Sequence, residues 1–518
     1  MSVLVRFKFS QASSFGPKSG SITLESHPPT QLNMKPHTFI DRVVSPFLVP
    51  SVMLVYVYKM HNLNNPDLLY YTVATGTVIS SLSGLLYTRI NRRTTARRIL
   101  VILKALVLTL EALLSIVIFN LTRLNSFYDL YSPPTAARGL KNSGGSHVFR
   151  YHFFVDMIPG LLIFIQVQLS SVIRQELVDR SKRKVTYGEA SIVSQLASAA
   201  FGSWALTLYS KLTGAGPFLL ELSTSIVLNI GLVLFFVALL PANIFIKGQA
   251  TILRYGLIAL SLVLSYSRVK ALVSDTSLEP FTWLIDHIFA THQRISLFSL
   301  WLSTLTACIS FSTSWSRMVG HTNSLVRKVF HLAVCVVFIS GHNQDIDFTR
   351  FAAGGMLIMM ALAEMARAWQ LWPIGSHLEN VCRSLRGKWD NKYLTLSQIY
   401  LLIGAFLPLW ILPSNSEPSK LALSSGLVSV GVGDTMAAVT GTFLGRNKFG
   451  KCDKTLEGLL GNLTAMILFK WIWVGYDGFI EELSFLIAAS GVAVVEASTS
   501  NCDNLILPLV FMLMIELI

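Results

Sequence analysis

Charge is scarce in this chain. Only 14% of its 518 residues are Asp, Glu, Lys or Arg, against about 25% in soluble domains, while 52% are hydrophobic and the mean hydropathy is +0.55. That balance excludes an ordinary soluble enzyme. Cysteine is sparse as well: Cys308, Cys335, Cys382, Cys452 and Cys502 show no C-x-x-C and no ligand spacing, so neither a disulfide framework nor a zinc site follows. No internal repeat and no soluble domain is visible, and the longest non-apolar insertion, Arg123 to Arg150, contains PPT and SGGS and reads as loop. The first long apolar run begins only near Val43, which leaves no place for a cleavable signal peptide.

Apolar runs of the roughly 17–25 residues needed to cross a bilayer recur along nearly the whole length. Examples are Ile99 to Leu121, Ser223 to Ile246, Phe351 to Trp372 and Leu421 to Phe443. The expected fold is therefore an all-α polytopic membrane protein, with about 13–15 transmembrane helices in one bundle. A net charge of +14 would suggest nucleic acid in a soluble protein, but here Lys and Arg sit in short loops between spans. Such a pattern reports topology and makes the bilayer, not nucleic acid, the partner.

The most basic loops, Arg89 to Arg98 and Arg174 to Lys184, are separated by two spans and can share the cytoplasmic side. Continuing the count places Arg317 to Lys328, Arg383 to Lys392 and Gly445 to Lys454 on that side too, all rich in Lys and Arg. Segments near Asn62, Asp345 and Asn415 fall on the opposite, lumenal side. The chain divides into a cytoplasmic tail over 1–42, an N-terminal membrane region over 43–316 and a C-terminal membrane region over 317–518 that carries the candidate site.

Polar residues of that last region fall into four groups. In GVGDTMAAVTGTFLGR, Gly433, Ala437, Gly441 and Gly445 form a small-residue stripe suited to close helix packing. Asp434 lies in the same span, where a lone acid costs about 2.5–3.5 kcal/mol unless paired, hydrated or metal-bound. A helix–helix hydrogen bond or a divalent cation would supply the reason. Next comes GRNKFGKCDKTLEG, whose Gly445, Gly450 and Lys451 fit G-x-x-x-x-G-K, although Cys452 stands where a P-loop has Ser or Thr and no strand precedes it. Its cations Arg446, Lys448, Lys451 and Lys454 read alone as topology. With Thr455, Glu457 and Gly458 opening a helix, they can instead hold a triphosphate. Arg327, Lys328 and His331 enter a span on the same side, either as interfacial anchors or as site residues. Glu496, Asp503 and Asn504 are acidic and polar where topology calls for basic residues, and acids beside phosphate make sense chiefly through a metal ion.

These motifs, GDTMAAVTGTFLGR, KTLEG and DNLILP with RKVFH upstream, resemble those of the dolichol kinases. Phytol kinases and CTP-dependent diacylglycerol kinases share the RK-x-x-H and GDT elements, whereas KTLEG together with DNLILP looks specific to dolichol kinases. The resemblance implies an endoplasmic reticulum membrane enzyme, with its active site facing the cytoplasm. Its reaction would move the γ-phosphoryl group of CTP to the terminal hydroxyl of dolichol, with a divalent metal ion, Mg or Ca. It carries over Lys454, Thr455, Glu457 and Gly458 with Asp434 and Thr435; together with the polar groups read above, this makes Asp434, Lys454, His331 and Asp503 the catalytic candidates. Gly433, Thr435, Arg446, Lys454, Thr455, Glu457, Gly458, Lys328 and Asn504 become CTP-binding candidates, and Asp434, Glu457, Glu496 and Asp503 metal ligands. His331 and Asp503 both remain open as the base. Two rival readings fit less well. A CTP:phosphatidate cytidylyltransferase would carry a D-R-x-D-type motif where this chain has CDN, and a transporter would keep its polar groups near the midplane.

Overall fold

In a computed structural model the described residues are 48–52, 76–81, 161–162, 164–178, 187–213, 230–231, 251–273, 279–319, 324–385, 395, 397–412, 419–449, 454–499 and 503–517. The tail over 1–42, the span Ile99 to Leu121, the loop Arg123 to Arg150, the basic loop Arg89 to Arg98, and Gly450 to Asp453 lie outside them.

The ordered elements are helices: α1 (Tyr187–Thr213), α2 (Thr251–Val273), α3 (Pro280–Phe289), α4 (His292–Val319), α5 (Ser324–Gln344), α6 (Ile346–Ala368), α7 (Gly375–Leu385), α8 (Ser397–Ile411) and the short α9 (Lys420–Leu423). A π-helix, Leu427–Asp434, then runs directly into α10 (Thr435–Phe443), followed by α11 (Leu456–Trp473), α12 (Phe479–Ser498) and α13 (Asp503–Leu517). No strand occurs among the described residues, only an isolated bridge between Lys448 and Thr455. Three stretches, Ile252–Lys270, His292–Trp315 and Ile346–Ala368, are long and apolar enough to cross a bilayer, and Ser397–Ile411 and Leu427–Phe443 are shorter apolar helices. The fold is that of an all-α polytopic membrane protein. The expected count of spans reaches into residues outside those described.

One core joins the C-terminal helices. Phe338, Ala405, Phe406, Leu427, Val428, Phe485, Val492, Leu505 and Phe511 are all essentially buried within it. The helix ends of this region sort into two sets. At one end Asp345 caps α6 through Phe348 N and meets Arg294 Nε at 2.7 Å. There too Lys420 Nζ donates to Trp473 O at 2.7 Å, and the fully buried Lys470 reaches Gly475 O at 2.8 Å and the Glu482 carboxylate. The Lys470 bonds meet a general need, because a buried ammonium in an apolar bundle must find acceptors. The opposite end receives the start of α5, the end of α10, the loop into α11, the end of α12 and the start of α13.

Candidate active site

That second end collects the charged groups. On α5, Lys328 and His331 stand three residues apart and so share a helix face. Lys328 Nζ donates to Asp434 Oδ2, while His331 Nε2 lies 3.2 Å from the same oxygen and 3.1 Å from Asn504 Oδ1 of α13. Nε2 therefore faces two oxygens and, at 3.5 Å, the Lys328 ammonium, while the buried Nδ1 has no partner among the described residues. Asp434 is 3% exposed and ends the π-helix. Wide i→i+5 turns of this kind recur at functional sites, where they re-aim a side chain within an otherwise regular helix.

A second pair of acids comes from the α12–α13 connection. Glu496, 2% exposed, sits in the last turns of α12, and Asp503 opens α13, where a carboxylate is favoured by the helix dipole. Thr499 Oγ1 donates to Asp503 Oδ1 at 2.9 Å and holds that carboxylate in place. Between the two acids lies Lys454, whose Nζ donates to Glu496 Oε1 and, at 2.7 Å, to Asp503 Oδ2. Burial disfavours its ammonium, but Asp503, Glu496 and Asp434 outweigh that and raise its pKa well above the ordinary lysine value.

Carboxylate oxygens of Asp434, Glu496 and Asp503 lie within 4.8 Å of one another. Next in the chain to Asp434, the buried Thr435 hydroxyl has no hydrogen-bond partner among the described residues. Three hard oxygen donors converging in this way fit a Mg or Ca ion, which binds carboxylates and phosphate oxygens together.

Of the loop between α10 and α11 the two flanking arms are described. Phe449 N donates to Lys454 O and Leu456 N to Asn447 O, both at 2.8 Å, so the two arms pair with each other and Lys454 is turned inward. Thr455 caps α11, accepting from Gly458 N at 3.2 Å. The structure thus brings together Lys328, His331, Asp434, Lys454, Glu496, Asp503 and Asn504; Thr435 follows Asp434 in the chain, with no side-chain hydrogen bond to the others. It does not bring Glu457 to the other three acids: its carboxylate accepts from Asn447 N at 3.2 Å and Asn447 Nδ2 at 2.9 Å, clasping the loop. Arg446 is exposed on that loop. The small-residue stripe packs the π-helix and α10 against α11, since a Cβ on Gly433 would stand 2.5 Å from Asn462 Oδ1 and one on Gly458 of α11 3.0 Å from Ala437 O. Sequence reasoning passed over Thr499 and Asn462, the latter fully buried with neither amide atom bonded among the described residues. An amide inside an apolar span was the available signal.

Comparison with known proteins points the same way. The chain is 29% identical over 247 residues to dolichol kinase EVAN of Arabidopsis thaliana, a match covering 46% of this chain and 43% of the relative. It is 28% identical over 254 residues to a Homo sapiens protein, covering 46% and 47%, and 26% identical over 245 residues to one from Saccharomyces cerevisiae, covering 46% and 45%. These relatives are dolichol kinases. The chain spans about half the length of the dolichol kinases it matches. No protein-family model and no solved structure matches it.

Proposed function

We propose that this chain is a CTP-dependent dolichol kinase of the endoplasmic reticulum membrane, moving the γ-phosphoryl group of CTP to the terminal hydroxyl of dolichol at the cytoplasmic face. The observation that carries this reading is the convergence of three acids and two lysines, from five separate segments, at one end of an apolar helix bundle. Phosphoryl transfer asks the protein for positioning and charge neutralisation more than for covalent chemistry, and this cluster supplies both. Asp434, Glu496 and Asp503 would hold the divalent ion, which when bound neutralises phosphate oxygens. Lys454 and Lys328 are the cations available to the transferring phosphoryl group, in the manner of a positioned electrostatic clamp. His331 and Asn504 orient the Asp434 carboxylate through the short network at Nε2. Thr455 and Glu457 act one step back, fixing the loop so that Lys454 faces inward.

Location follows from the acceptor. A polyprenol is held in the bilayer by about 0.8 kcal/mol per buried CH₂, so its hydroxyl can be met only at the membrane surface. An acid and lysine cluster at a bundle end is suited to that depth, and charge-lined transport sites near the midplane are not. The test is purified protein reconstituted with dolichol and given γ-labelled CTP or γ-labelled ATP. Label is expected in the lipid phase with CTP; label from ATP alone would reject the donor, and no lipid label from either would reject the reaction.

A further inference from the structure

Both lysines are already bound to the carboxylates on which the ion would sit. Lys454 bridges Glu496 and Asp503, and Lys328 is paired with Asp434. We propose that Lys454 and Lys328 are resident counter-ions of this acid cluster, released to phosphate only when a divalent ion replaces them, so that ion and nucleotide load as a unit. The proposal rests on the kinase reading above.

Charge gives the first reason. Three carboxylates face two ammonium groups, a balance of −1 that a divalent ion, with the lysines retained on the same oxygens, would turn to +1. A buried cluster tolerates neither extra charge nor shared ligand oxygens, and a triphosphate is the partner that accepts both displaced ammoniums. Exposure gives the second reason. In the Lys454–Glu496 and Lys328–Asp434 pairs the acid is the deeper partner, the Lys454 side chain being 29% exposed against 3% for Glu496 and Lys328 16% against 5% for Asp434, while Asp503, at 19%, lies nearer the surface. Lysine is also the partner with a long, flexible stem. Third, two of the three carboxylates keep other holds when the lysines leave, Asp503 on Thr499 Oγ1 at 2.9 Å and Asp434 on His331 Nε2 at 3.2 Å. Linkage then requires that nucleotide raise the affinity for the ion, and the ion that for nucleotide, by one common factor.

Mn²⁺ binding to purified full-length protein, read from the electron paramagnetic resonance signal of the free ion, tests this directly. Wild type is expected to bind Mn²⁺ about tenfold tighter when a β,γ-methylene analogue of CTP is present, after subtraction of the ion held by the analogue alone. Lys454→Gln, freed of its competing ammonium, should bind Mn²⁺ without nucleotide about tenfold tighter than wild type and gain less from the analogue. Lys328→Gln should behave alike and serves where the first variant does not fold. Unchanged or weaker Mn²⁺ binding in the folded variants, or wild-type affinity indifferent to the analogue, overturns the exchange while leaving the kinase reading standing. No Mn²⁺ bound by any form overturns both.

Discussion

Among the residues, Lys454 and Lys448 separate a site cation from a topological one. Six positions apart in one basic loop, they differ in that Lys454 is turned onto Glu496 and Asp503 while Lys448 lies on the exposed arm that bridges Thr455. Lys454→Ala should lower turnover by about 10²–10³, the usual loss when one transition-state donor is removed. Lys448→Ala should change it only a few-fold, and raising CTP should not rescue Lys454→Ala. Steady-state kinetics on both variants decides the point, and equal small effects would reduce the loop to positive-inside charge. Much of the cluster was legible in the sequence for a physical reason: acids at Asp434, Glu496 and Asp503 break rules of membrane cost and of loop charge, so they announce themselves. Glu457 did not yield to the same reading. Motif membership fixes only its place in the chain, whereas the cap at Thr455 sets the phase of α11 and turns Glu457 toward Asn447. Asn462 was missed because GLLGNLT reads as a small-residue packing surface, which hides an unsatisfied amide.

At the scale of elements, the π-helix and the α10–α11 contact place Asp434. The eight residues LVSVGVGD carry no polar stripe from which a turn width could be read, so the π-helix was invisible to periodicity although the span itself was plain. Close packing of α10 on α11, in contrast, was expected from the glycine stripe and is what the structure shows. Gly433→Ala drives a methyl against Asn462 Oδ1 and should cost about 1–3 kcal/mol of stability, as overpacking does. Asn462→Ala made in the same chain should recover most of that loss. Thermal unfolding of the two single variants and the double variant in one detergent measures the coupling, and strictly additive effects would show that the two side chains do not meet.

On the scale of the whole molecule, the sidedness read from Lys and Arg is a proposal that labelling can test. Every residue of the candidate site lies at one bundle end, and Lys420, Trp473 and Asp345 lie at the other. In a cysteine-free background, Arg446→Cys should react with an impermeant thiol reagent added outside sealed microsomes. Tyr476→Cys, 74% exposed beyond α11, should react only after permeabilisation. The reverse pattern would invert the topology and move the site to the lumen. The N-terminal spans are legible in the sequence as hydrophobic runs, and most of them lie outside the described residues. The most direct measurement is transfer from γ-labelled CTP to dolichol in sealed microsomes by wild type and by Asp434→Asn, with both proteins quantified in the membrane. Asp434→Asn keeps the size and hydrogen bonding of the side chain but loses the charge, so label should pass to dolichol with wild type and fall to background with the variant at equal abundance. Undiminished transfer by Asp434→Asn would contradict the site.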